Sequence, residues 1–558
     1  MVDKLSREEL AALEVGQTTV SRSLSCTMVC CFVLLIFSVP LVQTIVDWRS
    51  PGQQSLLSSL RTLVRGEQRP ASSVVQSSPS TLWQKNNRLL ERMATFEQQL
   101  EESSFLRSLV LAPGQRLLLA LGYGNEKVYP GKQGWLFYRP DMDYLMGPSF
   151  LGRKQLAQRR AGGKIWEKPV QPDPLPAIID FQQQLAARGI KLILMPTPIK
   201  ASLHPENFVS GSWQPPLQNR SWPDFIGQLE QAGIPLFDPA AILVDALQRA
   251  PAPLYLQTDT HWRPEAMEEV ASGLAEFIRA RVDLTGRAAH LQRQEVSVSN
   301  RGDIDAMLRM PEGWDLYEKE QVTIHPVLTR AEELWQPSPT AEVLLLGDSF
   351  ANIYSLAGMG WGEGAGLAEQ LSYFLDQPVD ALLQNDAGAF ATRALLSREL
   401  ARGRDRLAGK KVVVWQFASR ELASGDWKKI DLALHQREES DFYVPPQGAR
   451  PRVRAVVAAV SRSPLPGSVP YKDNIITLHL VDIRNSETGE EYGQALVYGW
   501  GMRNNTLTAL ARARIGEQIE LQLVDWEAVQ GQYSSYRRST LDDEMLELEL
   551  PVWGESIP

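Results

Sequence analysis

Beyond residue 31 the sequence contains no cysteine. The three that exist, Cys26, Cys30 and Cys31, sit inside one apolar run, so the rest of the chain has no disulfide framework and no cysteine-based zinc site. Histidine is nearly as scarce, with six in 558 residues, and no second histidine or carboxylate cluster stands at metal-ligand spacing. No metal and no cofactor is therefore expected. Excess positive charge is also missing. The 57 Lys and Arg are outnumbered by 66 Asp and Glu, the net charge is -9, and no basic stripe interrupts the balance, which argues against a nucleic-acid partner. What remains is 44% hydrophobic and 22% charged, the composition of a folded globular chain long enough for several domains.

The apolar run, "LSCTMVCCFVLLIFSVPLVQTIV", begins at Leu24, ends at Val46 and carries no charge. It is long enough to cross a bilayer, which takes ~20 residues. A cleaved signal peptide would have a shorter apolar core followed by a small-x-small site, and "QTIVDWRS" offers none. The expectation is an uncleaved single-pass anchor in the inner (cell) membrane. Residues 1–23 form a cytoplasmic tail, 24–46 the transmembrane segment, and the bulk of the chain lies outside the cytoplasm, in the periplasm. The flanking charges are mixed, with Lys4, Arg7 and Arg22 set against Asp3, Glu8, Glu9 and Glu14, so the orientation rests on the short tail rather than on the positive-inside rule. Residues 47–127 read as a linker and a membrane-proximal helix. The stretch 50–80 is rich in Ser, Gln, Arg and Pro, and Leu82, Leu89, Leu90, Met93, Phe96 and Leu100 recur at helical spacing.

From residue 128 to 443 helical patterns alternate with short, wholly apolar strands: "LILM", "IPLF", "PLYL", "VLLLG", "ALLQ" and "VVVW". Such strands predict an α/β domain, a parallel sheet covered on both faces, whose ligands bind beyond the carboxyl ends of the strands. Polar residues gather at those ends. Lys200 follows the first strand, Asp259 and His261 the third, Ser349 the fourth, Asn385 and Asp386 the fifth, and Gln416 and Arg420 the last, which also carries Trp415.

"LLLGDSFANIYS" raises the question of a nucleophile, because a serine hydroxyl attacks only when a base removes its proton. "YLQTDTHWRPEAM" supplies a candidate base in His261 and, two residues earlier, a carboxylate in Asp259 to hold the second ring nitrogen. The plainer readings are a strand ending in a polar turn and a capping Asp beside a structural His. "GWGEGAGLAEQ" follows no strand and is no phosphate loop, and "RGD" at 301–303 reads as structural.

These motifs together resemble the SGNH-hydrolase-like domains of the alginate O-acetyltransferases AlgJ and AlgX. G-D-S-F and D-x-H-W are joined by "YPGKQGWLFY" (129–138), "PTPIKASLHPENF", "RGDIDAML" and "VVVWQFASREL", in the order of that family. The Asp-x-His motif precedes the serine as it does there, whereas ordinary SGNH esterases place Asp-x-x-His after it. The resemblance implies that Ser349 accepts the acetyl group, His261 is the base and Asp259 orients it. Acyl transfer needs an oxyanion site, for which the Ser349 N–H is the candidate, and Asn385 is either a further donor or a turn residue of "QNDAG". The strand-end positions make Lys200, Trp415 and Arg420 candidates for a sugar groove, the alternatives being a core Trp and a surface Arg. The resemblance also implies a polysaccharide acceptor and a membrane-bound acyltransferase partner that delivers acetyl groups from across the membrane.

Residues 444–558 change texture. "RVRAVVAAV", "NIITLHLVDIR", "QALVYGWGM" and "EQIELQLVDW" alternate apolar and polar residues between Gly, Pro and Asn turns, which predicts a small C-terminal β-domain, a barrel in one reading. Tyr498, Trp500 and Trp526 belong either to its core or to a sugar-stacking surface. Three functions are compatible with the whole: a membrane-anchored O-acetyltransferase of an exported polysaccharide, a carbohydrate acetylesterase using the same triad, and a non-catalytic glycan-binding scaffold of an export complex.

Overall fold

In the computed structural model the described residues are 21–49, 93, 97 and 105–556, apart from 163–168, 251, 311–314, 386–387, 436–440, 465, 467–468, 470, 535, 542 and 544–545. The chain divides into two units, Met1–Gly114 and Gln115–Pro558. In the first, helix α1 spans Arg22–Arg49 and contains an apolar stretch, Ser23–Ile45, of 23 residues. At 1.5 Å per residue that stretch is about 35 Å long, enough for a hydrocarbon core of roughly 30 Å. The helical spacing read at 82–100 lies outside the described residues except at Met93 and Glu97.

The second unit holds an α/β domain and a C-terminal β-domain. Four strands form a wholly parallel sheet in the order β1-β4-β2-β3: β1 (Lys191–Thr197), β2 (Val343–Gly347), β3 (Val379–Leu383) and β4 (Val412–Ala418). Every residue of β2, β3 and β4 is buried, as continuous apolar strands in a covered sheet should be. Six strands were expected from the sequence, and two of them are not strands of this sheet. "IPLF" meets β1 through a single bridge at Leu236, and "PLYL" pairs back on its own chain, Tyr255 against Trp262. The flanking prolines explain the second case, since Pro lacks the N–H a central strand must donate.

The helices follow caps legible in the sequence. Asp173 accepts a hydrogen bond from Leu175 N and Asp238 from Ala240 N. Each is followed by proline at the first helical position, which starts α2 (Pro174–Ala186) and α3 (Pro239–Arg249). Next come α4 (Pro264–Arg279), α5 (Leu367–Leu375) and α6 (Ala391–Ala401). Phe181 of α2 packs edge-on against Trp415 of β4, with ring centroids 5.4 Å apart, and Arg393 of α6 lies over the same ring at 4.5 Å.

The C-terminal domain is a closed five-stranded barrel. β5 (Arg452–Val460), β6 (Asn474–Asn485) and β7 (Glu491–Arg503) pair antiparallel with one another in that order. β9 (Pro551–Ser556) then pairs parallel with β7 and antiparallel with β8 (Gln518–Asp525), which returns to β5. Closure removes the unpaired edges an open sheet would expose. The aromatic question is settled by packing. Trp526, on helix α7 (Trp526–Tyr533), and Tyr498 are buried, and Trp500 is partly buried. All three sit in a cluster with Trp553, Tyr533 and Tyr536.

Candidate active site

Ser349 opens a four-residue helix directly after β2. Its position is set by the residue before it. The Asp348 carboxylate caps this helix by accepting from Phe350 N at 2.9 Å. The same group accepts from Ala418 N at 2.7 Å and from Gln416 Nε2 at 2.9 Å, while the Gln416 amide oxygen accepts from Asp348 N at 2.9 Å. The Gly-Asp-Ser turn is thereby fastened to the carboxyl end of the adjacent strand β4.

Asp259 and His261 come from the Tyr255–Trp262 hairpin, which reaches the same rim. Leu256 N donates to His261 O and Arg263 N to Leu254 O, closing the hairpin. Tyr255 Oη donates to Pro198 O just beyond β1, Trp262 Nε1 donates to Phe350 O at 3.1 Å, and Tyr354 Oη donates to Trp262 O at 2.6 Å. Two segments 88 residues apart are thus held against each other. His261 Nε2 lies 2.9 Å from Ser349 Oγ, and His261 Nδ1 lies 2.6 Å from Asp259 Oδ1.

The carboxylate of Asp259 is saturated with donors. Besides the imidazole it accepts from His261 N at 3.1 Å, from Asp303 N at 3.0 Å and from Trp361 Nε1 at 2.8 Å. Burial opposes its ionisation, but the imidazole charge and these donors prevail, and its pKa lies well below the usual carboxylate range. His261 shows the reciprocal balance. Burial lowers its pKa, the Asp259 charge and hydrogen bond raise it, and the net shift is upward.

The "RGD" segment is indeed structural, and it supports this pair. Thr258 Oγ1 donates to Arg301 O, and Asp303 accepts from Thr260 N and from Thr260 Oγ1, both at 2.7 Å. Between them Gly302 has φ +88°, and a Cβ there would stand 2.6 Å from Asp259 Cβ and 2.7 Å from Thr258 O, so only glycine fits. Burial and then the neighbouring Asp259 charge push Asp303 up to about 7. The donor atoms of Asp259, His261 and Asp303 all lie within 4.8 Å of one another, close enough to hold a cation. In this arrangement they are engaged by the hydrogen bonds just given, and the imidazole faces Ser349.

Ser349 opens onto a cavity of about 270 Å³, lined also by Tyr138, Gln384, Thr392, Gln416 and Arg420. Arg420 stands at this cavity, paired with buried Asp141 at 3.1 Å. The two other residues expected in the groove, Lys200 and Trp415, are both buried. Lys200 is buried and donates to Leu136 O at 2.8 Å and Gln257 O at 3.2 Å, tying "GWLF" to the hairpin. Burial lowers its pKa to about 8 against the pull of Asp259 and Asp303. It cannot contact a glycan, because its ammonium is directed to backbone carbonyls inside the domain. Trp415 belongs to the lining of the Ser349 cavity, but it has no exposed surface and its ring packs against Phe181, Phe417 and Trp427. Asn385 is buried beside the short Ser349–Asn352 helix. Its oxygen accepts from Asn352 Nδ2 at 3.1 Å, and its Nδ2 donates to Met359 Sδ at 3.2 Å.

Asp348, Trp361 and Asp303 were not picked out from the sequence. Asp348 was inside the G-D-S motif. Trp361 lies among the glycines of "GWGEGAG", a pattern whose spacing points to a phosphate loop and not to a donor for a carboxylate.

Residues 128–419, more than half of the chain, match the family model described as "SGNH hydrolase-like domain, acetyltransferase AlgX". The chain is 33% identical over 174 residues to a Pseudomonas aeruginosa protein named Probable alginate O-acetylase AlgJ, covering 30% of this chain and 38% of that one. It is 29% identical over 192 residues to the protein of the same name from Azotobacter vinelandii, covering 33% and 42%. The match thus spans about two fifths of the length of these curated relatives. Among solved structures, the O-acetyltransferase domain of Pseudomonas putida AlgJ aligns at TM-score 0.40 with 22% identity, covering 54% of this chain and 93% of that one. Pseudomonas aeruginosa AlgX aligns at TM-score 0.40 with 14% identity, covering 71% and 91%. By the extent of the family match, the chain belongs to the AlgX family of SGNH hydrolase-like acetyltransferases.

Proposed function

We propose that this protein is a membrane-anchored O-acetyltransferase that acetylates hydroxyl groups of an exported polysaccharide through an acetyl-Ser349 intermediate. The observation that carries the reading is the Asp259–His261–Ser349 relay, with contacts of 2.6 and 2.9 Å, opening onto a polar-lined cavity.

In the first half-reaction Ser349 Oγ attacks the donor's acetyl carbonyl carbon while His261 Nε2 takes the hydroxyl proton. Asp259 holds Nδ1–H and stabilises the imidazolium. The oxyanion develops beside Ser349 N–H, which donates to no acceptor among the described residues. Asn385 is the second donor in this scheme, since its Nδ2 is directed only to a thioether, a weak acceptor. Collapse expels the leaving group with the proton from His261. In the second half-reaction the same imidazole deprotonates a sugar hydroxyl, which attacks the acetyl-serine carbonyl; the adduct collapses by breaking the bond to Ser349 Oγ, which takes the proton back from His261, and the acetylated sugar leaves.

Arg420, at the cavity wall, helps to seat the acceptor. In this reading the apolar helix α1 is the anchor and the site lies outside the cytoplasm, out of reach of cytosolic acyl-CoA, so that a membrane-bound acyltransferase passing acetyl groups across completes the system. The relatives' names assign alginate acetylation to them; for this chain the acceptor is a polysaccharide of the same general class.

The test is direct. Full-length protein in detergent is incubated with a chromogenic acetyl ester and quenched in acid, and the peptide containing Ser349 is examined by mass spectrometry. One added acetyl group, absent in Ser349→Ala, is expected, followed by acetate on glycan when oligosaccharide is supplied. Hydrolysis without any transfer to a panel of glycans would replace the transferase reading with an esterase. Normal turnover by Ser349→Ala would leave only the scaffold reading.

A further inference from the structure

Three side-chain oxygens surround the ring nitrogen of His261 that faces away from Ser349. Nδ1 lies 2.6 Å from Asp259 Oδ1, 3.1 Å from Thr260 Oγ1 and 3.9 Å from Asp303 Oδ2. The first contact belongs to the triad. The other two come from a pair of side chains that the mechanism above does not use.

A threonine hydroxyl carries one proton and can face an imidazole as donor or as acceptor. Here a third group makes the choice. Asp303 Oδ1 accepts from Thr260 N at 2.7 Å, a backbone donor that fixes the carboxylate in place, and Asp303 Oδ2 lies 2.7 Å from Thr260 Oγ1. An ionised carboxylate only accepts, so the hydroxyl proton goes to Asp303 and the hydroxyl lone pairs are left for His261. A deprotonated Nδ1 would meet only oxygen lone pairs on this side, whereas Nδ1–H finds acceptors. The partner of one ring nitrogen sets the state of the other. With the proton held on Nδ1, Nε2 presents its lone pair to Ser349 Oγ, 2.9 Å away.

We propose that Asp303 and Thr260 are positioning residues for the base: Asp303 directs the Thr260 hydroxyl, and the hydroxyl holds His261 in the tautomer that can take the proton of Ser349. The inference rests on the reading of Ser349 as nucleophile and His261 as base, and applies whether the acetyl group passes to a sugar or to water. The charges facing the imidazole are Asp259 and Asp303, which favour the imidazolium, and Arg420, which opposes it and is itself paired with Asp141. Burial and the Asp259 charge push Asp303 up to about 7, so it directs the hydroxyl as an anion above that pH.

Asp303→Asn inverts the arrangement. The amide oxygen stays with Thr260 N, so the NH₂ group donates to Thr260 Oγ1, and the freed hydroxyl proton turns to His261 Nδ1 and favours the wrong tautomer. Thr260→Val removes the helpful acceptor and the harmful donor together, and is the milder change.

The assay is hydrolysis of a chromogenic acetyl ester by full-length protein in detergent, at about pH 8.5, where Asp303 is ionised. Asp303→Asn should lower kcat about 10- to 100-fold, the range of one hydrogen bond to a charged group, with KM changed by less than about twofold. Thr260→Val should lower kcat about 2- to 10-fold, the range of one neutral hydrogen bond, and Thr260→Ser should recover most of it. The double variant Thr260→Val/Asp303→Asn should turn over within about threefold of Thr260→Val, because without the hydroxyl Asp303 has nothing to direct. A general loss of stability would not give that non-additivity, and melting curves establish that each variant is folded. Near-normal kcat in Asp303→Asn overturns the proposal, as do additive losses in the double variant. If Asp303→Asn does not fold, Thr260→Val and Thr260→Ser decide it, and equal rates for the two overturn it. An inactive Ser349→Ala beside a fully active Asp303→Asn removes this inference alone, whereas normal turnover by Ser349→Ala removes the nucleophile reading and this inference with it.

Discussion

Replacing Asp259 by Asn changes one oxygen for an amide and leaves the volume nearly unchanged, yet four donors converge on this carboxylate: His261 Nδ1, His261 N, Trp361 Nε1 and Asp303 N. Whichever way the Asn amide is turned, its NH₂ faces a pair of these donors. If it faces His261, the imidazole must present Nδ1 as acceptor and carry its proton on Nε2, toward Ser349, where it cannot act as base. If it faces Trp361 and Asp303 N, two buried donors are left unpaired, at about 1–3 kcal/mol each. The expected loss in kcat is about 10⁴-fold, the size seen when a triad carboxylate is neutralised, or about 5.5 kcal/mol of transition-state stabilisation. The pH profile should change as well. In the wild type the base form of His261 is lost as pH falls through its raised pKa, so the rate climbs with pH. Without the Asp259 charge, burial dominates, and the acid limb should move to lower pH. The assay is hydrolysis of a chromogenic acetyl ester from pH 5 to 9 on folded protein. A kcat within tenfold of wild type, or an acid limb that does not move, would refute the triad assignment.

Trp415→Ala should act through the core. We expect about 3–5 kcal/mol of destabilisation, seen in denaturant melts, with ester hydrolysis and glycan transfer falling together; a selective loss of transfer in a fully stable variant would return Trp415 to the groove. Gly302→Ala should displace the Asp259 backbone, because a Cβ there meets Asp259 Cα at 2.9 Å, and a loss of about 100-fold in kcat is predicted; near-normal activity would show that the loop absorbs the strain. The topology predicts that protease added to the cytoplasmic face of inverted inner-membrane vesicles spares the domain beyond residue 47, and digestion from that face would reverse the orientation.

The sequence alone pointed to the sheet and to Asp259, His261 and Ser349, because each rests on local chemistry. All-apolar strands between capped helices specify a covered parallel sheet, and Gly-Asp-Ser after such a strand puts a hydroxyl on its rim. The apolar stretch of α1 is equally local, a single uncharged run. The sequence could not tell a strand in the sheet from a hairpin above it, which is why "PLYL" was misplaced. Hydrophobic periodicity reports burial, and the buried Tyr255 hairpin has the same pattern as a central strand. The roles of Lys200 and Trp415 were decided only by tertiary structure. A strand-end position fixes where a Cα stands, but the direction of the side chain depends on what packs around it. For Lys200 those neighbours are the carbonyls of Leu136 and Gln257, and for Trp415 they are Phe181, Phe417 and Trp427. The donors that complete Asp259, one from "RGD" and one from "GWGEGAG", lie 44 and 102 residues away along the chain. Each motif by itself has a different conventional meaning. Only folding brings them within 3 Å of one carboxylate, and the need to satisfy that buried charge is what gives them their function here.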